Sequence, residues 1–193
     1  MIFDKNKKKK KGKKSGFSIG EVMLAVFILG ITLTALISLY VTGINELIDE
    51  RDSVVASLLA QEGVELMRNV RDNNWVDTSS PDSFDGIGSA GSTETCTIDI
   101  DDNNPFCTGS DYSLYYSSDF YTHNGGDNTE FKRKIIISDP DASGSDEERK
   151  VISIATWNNK DIATDFDDSN YETDCTTANK CVFSEAVLTR WGE

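Results

Sequence analysis

The sequence predicts an α+β protein in which one long N-terminal helix precedes an antiparallel β-sheet. Three observations lead there. Residues 22–44 form an uncharged apolar run, and residues 45–72 carry apolar pairs at helical spacing between charges. From about residue 119 onward, short β-branched and aromatic runs alternate with Asn, Gly, Asp and Ser clusters.

Residues 1–16 read as a basic, unstructured leader with eight lysines between Lys5 and Lys14. Behind it, the 23 residues Val22 to Ile44 carry no charge. As a helix they span roughly 34 Å at about 1.5 Å per residue, slightly more than the ~30 Å hydrocarbon core of a bilayer. The lysine cluster holds the N-terminus on the cytoplasmic side, which sends everything after Ile44 outward. In a secretory signal the apolar core comes before a small-residue cleavage site. Here Gly16 precedes the apolar run, so a cut after it removes only the leader and leaves the helix on a chain beginning at Phe17. Glu21 is the single acid at the edge of this run. An acid there is costly unless it is paired or reaches the interface, which marks it as an assembly candidate. A plainer account also exists, because the helix dipole favours an acid in the first turn and the side chain can snorkel to the headgroups.

Gly16-Phe17-Ser18-Ile19-Gly20-Glu21 followed by a long apolar run resembles the class III leader of type IV pilins and type II secretion pseudopilins. The resemblance implies cleavage after Gly16 by a prepilin peptidase and N-methylation of Phe17. It also implies pairing of Glu21 with the N-terminal amine of a neighbouring subunit during assembly. Many type IV pilins carry a glycine at the position of Gly30 and a proline eight residues later; here that second position is Ser38, a departure that leans toward a minor or pseudopilin-type subunit. The implied fold is pilin-like. Its helix has a membrane-spanning half, residues 17–44, and an amphipathic half, residues 45–75, which packs on the sheet of a β-rich extracytoplasmic head, residues 76–193.

Loss of residues 1–16 removes eight of the 19 basic residues and one of the 33 acids, leaving 11 and 32, a formal net charge of −21. Such a head stays soluble and lacks the basic patch that direct nucleic-acid binding requires. Cys96, Cys107, Cys175 and Cys181 all lie in the outward part, where conditions allow disulfides. The local pairing, Cys96 with Cys107 and Cys175 with Cys181, is favoured because each pair brackets a short polar loop; the other two connectivities stay open. A four-thiolate zinc site would want tight C-x-x-C pairs.

Along the amphipathic helix the apolar face runs through Leu47, Ile48, Val54, Val55, Leu58, Leu59, Leu66, Met67 and Val70, and Arg68 and Arg71 suit its C-terminus. A softer resemblance to minor pilin-like proteins lies in LLAQEGVELMRNVRDNNW, ending in Trp75. Residues 77–95 read as a Ser, Gly and Asp loop with few apolar anchors. Strands are expected at Cys96–Ile100 and Leu114–Tyr116. A hairpin then joins DFYT to Phe131–Ser138 through His123-Asn124-Gly125-Gly126-Asp127, with Asn-Gly supplying positive φ. Further strands follow in RKVISIATWN and Val182–Trp191.

Nothing here assembles an enzyme: His123 is a lone histidine read as solvated in its turn, and no nucleophile elbow or phosphate loop is present. No cofactor is expected. A weak calcium signal lies in Asp139-Pro140-Asp141-Ala142-Ser143-Gly144, whose Asp139, Asp141 and Ser143 alternate ahead of a glycine, although Lys150 holds the twelfth position. Asp99, Asp101 and Asn103, and Asp165, Asp167 and Asp168, alternate similarly, and all are read as solvated turns. Trp75, Trp157, Trp191, Phe120, Tyr121 and Phe131 are assigned to core packing in preference to an adhesive surface.

The function implied is that of a minor pilin-like structural subunit, inserted in the cytoplasmic membrane and then built into an extracellular filament. Its partners would be the prepilin peptidase, sibling pilin or pseudopilin subunits, the assembly platform and the membrane. A type II secretion pseudopilin is the first alternative. A single-pass anchored extracellular binding domain is the second.

Overall fold

A computed structural model describes residues 16–76, 84–89, 91–102, 104–107, 111–140, 147–162 and 166–190. Its elements are α1 (Ile19–Val76), β1 (Glu94–Cys96), β2 (Ser113–Ser117), β3 (Phe120–Thr122), β4 (Asp127–Ser138), β5 (Glu148–Thr156), α2 (Tyr171–Asp174), a 3₁₀ turn (Thr177–Asn179) and β6 (Cys181–Thr189). The chain divides into two compact units, Met1–Leu47 and Ile48–Glu193.

Within the second unit the strands form one antiparallel sheet of order β3-β2-β4-β5-β6, with β1 pairing on β4 beyond β2. Period-2 alternation decides its two faces. Phe131, Arg133, Ile135 and Ile137 of β4 share a face with Val151, Ser153 and Ala155 of β5 and with Val182, Ser184, Ala186 and Leu188 of β6. This face meets α1: Ala56, Leu59 and Ala60 pack with Leu114, Phe131, Ala155 and Trp157, and Met67 and Val70 pack with Ile135, Ile137, Val151 and Leu188. The fold class is therefore the expected one, a long N-terminal helix on a C-terminal antiparallel sheet. On the opposite face, Ile136, Ile152 and Ile154 are covered by Ile162, Phe166, Tyr171 and the Cys175 and Cys181 pair.

The helix passes close over the sheet at Gly63. A Cβ there would run into Ser153 Oγ and come within 2.8 Å of Ile135 Cδ1. The hairpin expected between DFYT and Phe131–Ser138 does not form: β3 pairs with β2, and β2 lies between β3 and β4. The connection from β3 across to β4 turns at Gly125 and Gly126, with φ of 73° and 127°. Asn-Gly was the expected source of positive φ, but the two glycines supply it.

Several local expectations are corrected. The first strand covers Glu94–Cys96 rather than Cys96–Ile100, because the chain turns at Asp99, whose N–H donates to Asp102 at 2.9 Å. β4 begins four residues early, at Asp127, since β2 pairs with it down to that residue. The 77–95 loop has apolar anchors after all in its described part, Phe84 and Ile87, both buried in the core. α1 runs to Val76, so neither arginine lies in its last turn; Arg68 pairs with Glu65, and Arg71 pairs with Asp72 at 2.8 Å. Of the aromatic set, Trp157 and Phe131 are core, Tyr121 packs edge-on against Phe131, and Trp75 is exposed. Trp191 lies outside the described residues.

Candidate functional site

The candidate residues fall into two groups, the first of which is the segment from Gly16 to Leu47. Helix α1 starts where the Ser18 carbonyl accepts the N–H groups of Glu21 at 3.0 Å and Val22 at 3.2 Å. Gly16 and Phe17 lie ahead of this turn and are exposed, so the peptide bond between them is open to attack. Glu21 sits exposed in the first turn. From there to Leu47 every residue is exposed except half-buried Gly43. The three threonines of the run are satisfied within the helix: Thr32 donates to Leu29 O at 2.9 Å, Thr34 to Gly30 O at 2.9 Å and Thr42 to Ser38 O at 3.1 Å. A run whose threonines bond back to its own carbonyls is suited to hydrocarbon. It is long and apolar enough to cross a membrane. The helix also runs unbroken through Gly30 and Ser38.

The second group is a set of charge networks in the Ile48–Glu193 unit. Asp99 is buried, and its carboxylate accepts the Thr122 hydroxyl and the His123 backbone N–H, both at 2.8 Å. Its other oxygen lies 2.6 Å from His123 Nδ1, while His123 Nε2 lies 3.2 Å from the Arg133 carbonyl. Burial pushes the Asp99 carboxyl up, but the His123 ring and N–H with the Thr122 hydroxyl outweigh it and hold the group below its ordinary value. Arg133 is fully buried and donates to Ile98 O at 2.6 Å and Leu59 O at 3.5 Å, with Glu62 at 3.5 Å and Asp99 at 3.7 Å. Burial lowers its guanidinium, against the opposing fields of Glu62 and Asp99. The network thus joins α1, the 97–102 turn, the end of β3 and β4. His123, expected to be solvated, is one of its members.

Asp139 is also turned inward. It pairs with buried Arg149 at 3.0 Å and accepts the Gly91 N–H, so this acid fastens the base of the β4–β5 connection. Asp141 and Ser143, the other residues of the calcium pattern, lie outside the described residues. So do Asn103 and Asp165. Asp101 and Asp167 are exposed, and Asp167 closes a local turn by accepting the Ser169 N–H at 2.8 Å. Asp99 and Asp139 are the exceptions to the solvated reading of those acids, for the reasons above. Cys96 is bonded to Cys107 and Cys175 to Cys181, the local connectivity.

Sequence reasoning missed Glu62, Thr122 and Arg133 as partners, and missed Asp49, which accepts from Trp157 Nε1 at 2.8 Å and pairs with Lys180. For Arg133 a signal existed: it shares the alternation of Phe131, Ile135 and Ile137 and had to point inward. For Asp49 none did, since its partners follow more than 100 residues later. Among protein-family models, curated proteins and solved structures, none matches this chain.

Proposed function

We propose that this chain is a pilin-like structural subunit of a type IV pilus-type filament, most like a minor pilin, whose N-terminal helix is its assembly element. The observation that carries this reading is the division of labour along α1. Its second half is buried under the subunit's own sheet, whereas its first half presents apolar side chains in every direction. A solely soluble protein does not leave such a rod uncovered. The exposed Gly16-Phe17 bond ahead of the helix supports processing there by a prepilin peptidase with methylation of the new amine. Glu21, the only charge between Phe17 and Asn45, then serves as counter-ion to the Phe17 amine of an adjacent subunit. The role is structural rather than catalytic, and it places the chain first in the cytoplasmic membrane and then in an extracellular filament.

Mass spectrometry of the mature protein tests the processing step, with a chain beginning at methylated Phe17 expected. An intact, unprocessed N-terminus would leave only a membrane-anchored extracellular domain. For the pairing, Glu21→Ala is expected to abolish incorporation into filaments while leaving membrane insertion intact; normal incorporation would refute it. One observation favours the neighbouring reading of a type II secretion pseudopilin: the helix continues without a break through Gly30 and Ser38. Loss of exoprotein secretion rather than of surface filaments in a deletion strain would select it.

A further inference from the structure

β6 is a terminal strand of the sheet, nine residues long and paired in unbroken register with β5 alone. The ladder is framed by Trp157 N–H donating to Lys180 O at 3.3 Å and Arg190 N–H donating to Glu147 O at 2.8 Å. That phase turns the backbone groups of Lys180, Val182, Ser184, Ala186, Leu188 and Arg190 toward β5. Those of Cys181, Phe183, Glu185, Val187 and Thr189 face away from the sheet. Cys181 N–H is taken by Thr176 O at 3.0 Å. Beyond it, among the described residues, the outward row from Phe183 to Thr189 meets no other strand. Natural edges are usually blunted by proline, lysine, a bulge or a covering segment. β6 has no proline, lysine or bulge, and its only charge is Glu185.

A groove of about 320 Å³ runs beside this edge. Ser57 and Gln61 of α1 form one wall, Val182 and Ser184 of β6 the other, and Thr176-Thr177, held by the Cys175–Cys181 disulfide, close one end. A strand added to β6 would point alternate side chains to opposite sides, and exposed apolar side chains await on both. Val54 and Leu58, 61% and 59% exposed, lie beside Ser57 and Gln61 on the helix. Phe183 and Val187, 36% and 50% exposed, lie on the other face of the strand. The rim carries Glu65, paired with Arg68, Glu185, paired with Lys150, and Glu172. An acidic rim on a strongly acidic head repels a second copy of itself and attracts basic flanks.

We propose that the outer edge of β6 and this groove form a docking site for an extended apolar segment of another protein, flanked by basic residues, which binds by strand addition. Main-chain bonds to Phe183, Glu185, Val187 and Thr189 hold the segment, and Val54, Leu58, Phe183 and Val187 select apolar side chains on its two faces.

The test uses the full chain in nanodiscs and, as probe, a blocked nonapeptide of alternating valine and threonine with lysine at each end. Fluorescence anisotropy follows binding, and amide hydrogen exchange locates it. Exchange at Phe183, Glu185, Val187 and Thr189 is expected to slow by roughly tenfold or more as the new ladder forms, with Ser184, Ala186 and Leu188 unchanged. Val187→Pro removes an outward N–H without touching the β5 ladder and is expected to weaken binding roughly tenfold. Leu58→Glu, on the exposed helix face, is expected to do the same and carries the test if the proline variant misfolds. The proposal fails if saturating peptide leaves the four outward amides unchanged, or if a polylysine peptide of equal charge protects them equally. It fails also if they are already protected in the unbound chain, or become protected with chain concentration alone, which would assign the edge to this chain or to a second copy.

Discussion

Arg133 carries a full charge with no contact with solvent, an arrangement that costs several kcal/mol unless every direction around it offers an acceptor. Two carbonyls and the carboxylates of Glu62 and Asp99 surround its terminal nitrogens, while Nε is left without a partner, and Asp99 in turn holds Thr122 and His123. Asp99→Ala is therefore expected to destabilise the fold by about 3–5 kcal/mol, the cost of leaving a buried partner uncompensated, as read from urea denaturation at pH 7. Because the folded Asp99 carboxyl lies below its ordinary value, its contribution is present above an unfolded pKa of about 3.9 and is lost as the pH falls through the lower folded value. The stability gap between wild type and Asp99→Ala should accordingly narrow below about pH 3.9, the opposite of what a group with a raised value would give. Little of this was legible in the sequence. A histidine beside Asn124 and two glycines reads as solvated, since its carboxylate partner stands 24 residues earlier and only the fold brings them together.

The contact between α1 and the sheet turns on Gly63, an element-scale constraint that helical periodicity cannot display because glycine contributes nothing to an apolar stripe. Gly63→Ala gains helix propensity of up to about 1 kcal/mol but forces a methyl into Ser153 and Ile135, so a net loss of about 1–2 kcal/mol is expected in thermal or chemical denaturation. A neutral or stabilising outcome would mean that α1 rides further from β4 and β5 than described. Elements with strong periodicity were readable: α1, β4, β5 and β6 all lie close to where alternation and helical spacing put them. Those set by a single side-chain contact were not. The end of β1 depends on the turn at Asp99, and the anchoring of the segment before it depends on Phe84 and Ile87, two apolar residues among many small polar ones.

At the scale of the whole molecule, the boundary between Leu47 and Ile48 separates a part with no core of its own from one with three packed clusters and two local disulfides. A chain beginning at Ile48 is expected to be soluble without detergent and to unfold in a single transition at the same denaturant midpoint as the full chain in micelles. Aggregation or a lowered midpoint would show that the first half of α1 contributes to folding. Each disulfide spans a short stretch, 11 and 6 residues in separation, so each adds only about 2–3 kcal/mol by constraining the unfolded chain. The uncovered half of α1 carries a different consequence. Fifteen large apolar side chains stand exposed between Val22 and Ile44. At about 2 kcal/mol apiece they set a barrier on the order of 30 kcal/mol against passage through water, a waiting time on the order of decades at room temperature. Passage through water is therefore strongly disfavoured for such a segment: a change of surroundings is far cheaper as a sideways hand-over between touching apolar phases, and the same transfer free energy would hold it inside either one.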